Sequence, residues 1–236
     1  MKNLINLLAI AILMFATSCQ KEETTLPEIP TTYPENPYNY VGEEHNQMVS
    51  DFMIAHEAQL STMQEPMERE VYIFDIILTE NGLDFKNYRD AKEQLQLQST
   101  QTLAGYDFTK FEEIFGTSTM TDLGKTTISN ALNELVEIDG RTPEGLEKVK
   151  EEIRKIEITF IESFEGTADY KPAMTYLSVL KHSAQHWTDN PNGDIPTRAK
   201  WWQILLADSA GAIIGGVLGG GTAVPLAAGF SLAVSK

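Results

Sequence analysis

Between Asp208 and the final Lys236 the 236-residue chain carries no charged side chain, and six glycines fall between positions 211 and 221. A glycine inside a helix costs about 0.8–1 kcal/mol relative to alanine, so six of them would cost an isolated, water-exposed helix roughly 5 kcal/mol. Such a segment does not stand alone in water. It must pack closely against another helix, enter lipid or remain partly disordered. Gly219-Gly220-Gly221 and Pro225 interrupt it, which predicts two apolar arms, about 197–218 and 224–234, folded as a hairpin. On the first arm Gly211, Gly215 and Gly219 recur every four residues and share one helix face, with Gly216 and Gly220 in a second row beside it. Arg198, Lys200, Trp201 and Trp202 precede the apolar run. That order suits a membrane interface, while the plainer alternative has both tryptophans covering a bundle core.

Upstream the apolar residues fall at helical spacing. Val41, His45, Met48, Phe52, His56 and Leu60 form one stripe, with Asn39 as a plausible N-cap and Glu43 and Glu44 near the positive end of the helix dipole. Pro66 opens a second helix with the stripe Met67, Val71, Phe74 and Leu78, stopped at Asn81-Gly82. Residues 71–78 also fit a buried strand, but the start and stop signals around them favour helix. Asp84 caps a third helix through Phe85, Tyr88, Ala91 and Leu95, and residues 107–116 form a short element with Phe108, Phe111 and Phe115 on one side.

Residues 123–138 follow, with Ile128, Ala131, Leu135 and Ile138 as the stripe and Asp139-Gly140 as the stop. The clearest helix is 143–164: Thr142 caps it, Pro143 sits at N1, and Leu146, Val149, Ile153, Ile156 and Phe160 step by 3, 4, 3 and 4 before Gly166 ends it. Glu151 and Lys155 make an i,i+4 pair worth about 0.3–0.5 kcal/mol, so the apolar face carries the stability. Residues 169–187 predict another helix, striped by Ala173, Leu177, Leu180, Ala184 and Trp187, with a turn-rich loop over 188–196. No fixed-period repeat or run of regular strands interrupts the pattern. The expected fold is all-α, a multi-helix bundle of six to eight helices with a glycine-rich C-terminal helical hairpin.

The other end of the chain bears on location. Residues 7–15 are nine apolar residues in a row behind a single basic residue, Lys2, too short to span a bilayer and followed by small residues, as in a signal peptide. Phe15-Ala16-Thr17-Ser18-Cys19 resembles the lipobox of bacterial lipoproteins, and Cys19 is the only cysteine. The resemblance implies that Cys19 is acylated, palmitate-type chains included, and becomes the first residue of the mature protein. Gln20-Lys21-Glu22-Glu23 resembles the tag that sends lipoproteins of some Gram-negative lineages to the cell surface. Pro27, Pro30, Pro34 and Pro37 then favour an extended tether. The expected organisation is a signal peptide at 1–18, a lipidated tether at 19–39, a helical body at 40–196 and the hairpin at 197–236. The repeated glycines of the first arm resemble the glycine zippers of membrane-active and helix-packing proteins.

Composition narrows the partners. Loss of residues 1–18 removes Lys2 alone among charged residues and leaves 17 basic against 34 acidic side chains, a net charge of −17. Such a field repels phosphate backbones, so a nucleic-acid partner is not expected. With the one thiol acylated, no internal disulfide forms, and packing alone stabilises the fold.

Candidate chemistry is sparse. His182 and His186 have the i,i+4 spacing of many zinc sites, yet the Leu177, Leu180 and Ala184 stripe lies opposite and places them toward solvent. His45 and His56 lie on an apolar stripe eleven residues apart, about 16 Å along the helix at 1.5 Å per residue, too far for one metal. There is no Gly-x-Ser-x-Gly; Asp208-Ser209-Ala210-Gly211 is a partial echo inside a helix. Walker loops and calcium loops are absent from the sequence. No catalytic residue, metal or cofactor is therefore expected.

The leading expectation is a non-enzymatic, lipid-anchored helical interaction module on a Gram-negative outer membrane, exposed at the cell surface. It meets the membrane through acylated Cys19 and offers its hairpin to its own body, a protein partner or a second bilayer. The alternatives are a membrane-active protein of toxin or bacteriocin type, which inserts that hairpin into a bilayer, and a helical-bundle metal-dependent enzyme.

Overall fold

The computed structural model describes residues 33–84, 118–189, 198–218 and 223–234. These residues fall in one compact unit, Tyr33–Lys236, and form seven helices with no strand among them. The helices are α1 (Asn39–Leu60), α2 (Pro66–Glu80), α3 (Asp122–Leu135), α4 (Pro143–Phe164), α5 (Tyr170–Asp189), α6 (Arg198–Leu218) and α7 (Ala223–Val234). The all-α bundle is the fold that the helical spacing predicts. The leader, the lipidation residue Cys19, the export-tag residues Gln20 to Glu23, the tether up to residue 32, the elements expected after Asp84 and at 107–116, and residues 190–196 of the expected loop lie outside the described residues.

The boundaries follow local chemistry. Thr142 caps α4 by accepting from Gly145 N at 3.1 Å, with Pro143 in the first turn, and Gly166 beyond the other end has φ +79°. That left-handed conformation favours glycine. At the end of α2, Gly82 has φ +69°, and Leu83 N returns to Leu78 O at 2.8 Å. On α1 the N-cap position is Tyr38 rather than Asn39, and no side chain caps the helix. Asn39 instead accepts from Lys181 Nζ through its own Oδ1 at 2.7 Å, so its side chain is spent on a neighbouring helix.

Helix α5 is the axis of the body. It packs against α1, α4 and α6, while α7 packs against α6, α1 and α2, and α3 covers α4. Ten consecutive or near-consecutive α5 residues, Ala173 to Leu180 with Ser183 and Ala184, are buried, so the helix has no solvent face over most of its length. The five-residue stripe expected from spacing is therefore too narrow. Thr175, Ser178 and Ser183 are buried among the apolar side chains and widen the contact surface by being small. On α2 the buried residues are Glu70, Ile73, Phe74, Ile77 and Leu78, whereas Val71 is 44% exposed. The stripe is rotated from the expected one because α7 approaches along the Phe74 edge, where Phe74 and Phe230 meet edge to face at 5.4 Å.

The body also begins earlier than the expected tether boundary. Asn36 is buried, donating to Glu157 Oε1 at 2.9 Å and to Met174 O at 2.7 Å. Arg154 Nη2 donates to the carbonyls of Tyr33 and Pro34 at 3.0 and 2.8 Å, which straps residues 33–36 across α4 and α5. Glu157, fully buried, is the hub: it also takes Arg154 Nη1 at 3.2 Å and Lys181 Nζ at 3.5 Å. A buried carboxylate survives when it is paired and hydrogen-bonded on several sides.

Candidate functional site, a buried polar junction under the hairpin

The two C-terminal arms fold back on each other as α6 and α7, and both are sunk into the body. Trp201, Leu205, Ala207, Leu226, Ala227, Ala228 and Phe230 are wholly inaccessible. Trp201 and Trp202 are core residues, as the plainer sequence alternative had them. Trp202 Nε1 donates to Ile138 O at 3.0 Å, and the Trp201 ring lies over Gly140. Gly140 thus leaves room for an indole, but Asp139-Gly140 does not stop the helix: α3 ends at Leu135 with Val136 as its C-cap, short of the expected 138.

The glycines of the first arm do different things. At Gly211 a Cβ would stand 2.7 Å from Ala227 Cα and 2.8 Å from Leu226 O, so the absent side chain sets how close α7 can come. Gly215 is buried, Gly216 is exposed with open space around it, and Gly219 and Gly220 lie outside the described residues.

Where α1, α5, α6 and α7 meet, the core turns polar. Asp208, the last charged residue before the apolar run, is fully buried on α6. Its Oδ2 accepts from the Ser183 hydroxyl and from Trp187 Nε1, the latter at 3.1 Å, both on α5. His45 of α1, also fully buried, brings Nε2 to 3.9 Å from the same oxygen. His45 Nδ1 lies 3.0 Å from Asn46 Oδ1, and Asn46 Nδ2 in turn donates to His182 O at 2.8 Å. Beside it Gly42 N donates to Ser178 Oγ at 3.1 Å, and a Cβ on Gly42 would stand 2.6 Å from Ser178 O. Ser231 on α7 favours the charged carboxylate from the fourth side, although neither its Oγ nor Asp208 Oδ1 has a hydrogen bond of ordinary geometry.

Burial governs the titration of this cluster. It pushes the Asp208 carboxyl up to about 7 against the pull of Ser183, Ser231 and Trp187, and it holds the His45 imidazole down to about 4. His182 and His186 are half-buried rather than turned to solvent, because α5 is wrapped by its neighbours, and burial lowers both. His56 lies apart, its Nδ1 2.8 Å from Tyr72 Oη and its ring 4.5 Å from that of Phe52.

The junction is not wired as a nucleophile. A serine hydrolase needs the imidazole between serine and carboxylate, whereas here Ser183 bonds the carboxylate directly and His45 turns its Nδ1 to Asn46. Among the described residues no group of three or more His, Cys, Asp or Glu side chains could hold a metal ion. An open groove of about 450 Å³ between α3 and α4, lined by Thr127, Glu134, Ile138, Lys155, Ile156 and Thr159, contains one cation, and Glu151 and Glu152 already pair with it at 3.3 and 2.8 Å.

Spacing placed His45 on the buried face of α1 but did not supply Asp208 as its partner, because the two are 163 positions apart and meet only when the hairpin docks. The available signal was Asp208 itself, a lone carboxylate inside an apolar arm. The chain matches no protein-family model, no curated protein and no solved structure.

Proposed function

We propose that the protein is a lipid-anchored component of a Gram-negative cell envelope, held at the outer membrane and facing outward, whose helical body acts as a non-enzymatic interaction module. The observation that carries this reading is the placement of the only cysteine, Cys19, directly after the nine-residue apolar run and Ala16-Thr17-Ser18. The acidic balance and Gln20-Lys21-Glu22-Glu23 support an exported, surface-facing body without a nucleic-acid partner. Burial of both hairpin arms favours a body that uses its apolar C-terminus for its own packing. No helix among the described residues is long and apolar enough to cross a membrane.

Labelled palmitate fed to cells making the protein tests the reading directly. We expect incorporation into the wild type, loss of it in Cys19→Ala, and a mature chain that starts at acylated Cys19. A mature chain with that sulfur unmodified overturns the proposal.

A further inference from the structure

The His45–Asp208 contact is the only place where the hairpin meets the body through two fully buried groups that both titrate, among the contacts described for the hairpin. Charged and titratable groups come from several of the elements around it. Helix α1 brings His45, with Glu43 and Glu44 in the preceding positions. Helix α5 brings His182, His186, Lys181 and Asp189. Helix α6 brings Asp208, and α7 has no titratable side chain, but it adds the Ser231 hydroxyl beside Asp208 and the Ala227 backbone beside His45. Glu157 and Lys150 of α4 act on His182 from farther off.

The hydrogen-bond partners bear on where the protons lie. Oδ2 of Asp208 already receives Ser183 and Trp187, so a proton on this carboxyl sits on Oδ1, the oxygen without a hydrogen bond of ordinary geometry. In the neutral ring, Nδ1–H donates to Asn46 Oδ1 and leaves Nε2 bare beside Asp208 Oδ2, while the Ala227 backbone on α7 favours the protonated ring and burial outweighs it. Before docking, both groups are in water, where at weakly acidic pH the imidazole is protonated and the carboxyl is not. We propose that docking of the hairpin transfers one proton from the His45 imidazole to the Asp208 carboxyl, making the junction a proton-neutral latch whose hold on α6 and α7 does not change between weakly acidic and neutral pH. One N–H bond is lost and one O–H bond gained. No proton enters or leaves, and two opposite charges that would have to be buried are instead annulled.

The sign of each half follows from linkage. A carboxyl raised from 3.8 to about 7 contributes stability that is full below 3.8 and is lost as pH rises to about 7. An imidazole lowered from 6.5 to about 4 contributes stability that is full above 6.5 and is lost as pH falls to about 4. Over the shared window the two run in opposite directions, so each is visible only when the other is removed.

Hydrogen exchange of the intact chain, with labelling times scaled to intrinsic rates at pH 5 and 7.5, tests the latch. Wild-type protection in α6 and α7, relative to α4, should be the same at both values. In Asp208→Asn it should fall about tenfold or more on going to pH 5, in His45→Gln it should rise by a similar factor, and in the double variant it should again be level. Parallel profiles in all four chains, or changes that run equally through α4, overturn the proposal. A wild-type measurement covers the case of a variant that does not fold: if imidazole nitrogen shifts show all four histidines protonating between pH 7 and 5.5, His45 is not held neutral and the latch does not exist.

Discussion

At the scale of single residues, Gly211 and Gly216 of α6 separate packing from propensity. Gly211 faces backbone atoms of α7 that cannot swing away, so Gly211→Ala should destabilise the fold by about 1–3 kcal/mol, as overpacking of a tight contact does. Gly216 is helical, exposed and unobstructed, so Gly216→Ala should stabilise it by about 0.5–1 kcal/mol. Urea unfolding of the two variants side by side checks both signs, and equal effects would mean that α7 does not approach α6 through Gly211. Both glycines look alike in the sequence, where they belong to adjacent rows of one repeat. What distinguishes them is the direction from which a neighbouring helix arrives, and that is a tertiary fact. The histidines behave likewise: one stripe places His182 and His186 toward solvent, whereas three other helices close around α5 and cover much of its remaining surface.

Elements were legible where propensity and capping agree. Residues 143–164 carry Thr142, Pro143 and a steady 3,4 apolar spacing, and α4 starts and stops at those positions. The two arms of the hairpin were legible from glycine and proline punctuation, and α6 and α7 end within a residue or so of the expected arms. Less legible was α5, whose buried serines and threonine carry no hydrophobic signal, and α2, whose stripe turned with its partner. The strap at residues 33–36 was hidden for a different reason. Proline-rich polar sequence reads as tether, and nothing local announces that Asn36 will find Glu157, 121 positions away. Because Glu157 gathers Asn36, Arg154 and Lys181 in one buried spot, Glu157→Ala should cost roughly 2–4 kcal/mol, by leaving cations and an amide without their acceptor. It should also open residues 33–38 to proteolysis at protease levels that spare the wild type. Unchanged cleavage in that stretch would show that the strap is held by something other than Glu157.

For the whole molecule, the hairpin decides between an arm held in reserve and a structural wedge. Helix α7 fills the space between α1, α2 and α6, and its Ala228 and Leu232 complete the apolar cluster formed by Val49, Phe52, Leu60, Ile73 and Ile77. Extracting it would expose that cluster as well as the hairpin's own surface, a penalty set by apolar area at about 25 cal/mol per Å². Purified chain without acyl groups should therefore leave dye-loaded anionic liposomes intact at neutral pH. Leakage that Gly215→Leu abolishes would instead favour the membrane-active alternative.

The strap has a mechanical corollary. Its grip on Arg154, Glu157 and Met174 lies in the middle of α4 and near the start of α5, and Lys181 links Glu157 to Asn39 in the first turn of α1. A force applied through the residues that precede Tyr33 would thus load several polar contacts side by side, in shear across two central helices. It would not unzip α1 one turn at a time. A body gripped in this way can be pulled from that end without its first helix being the first thing to give.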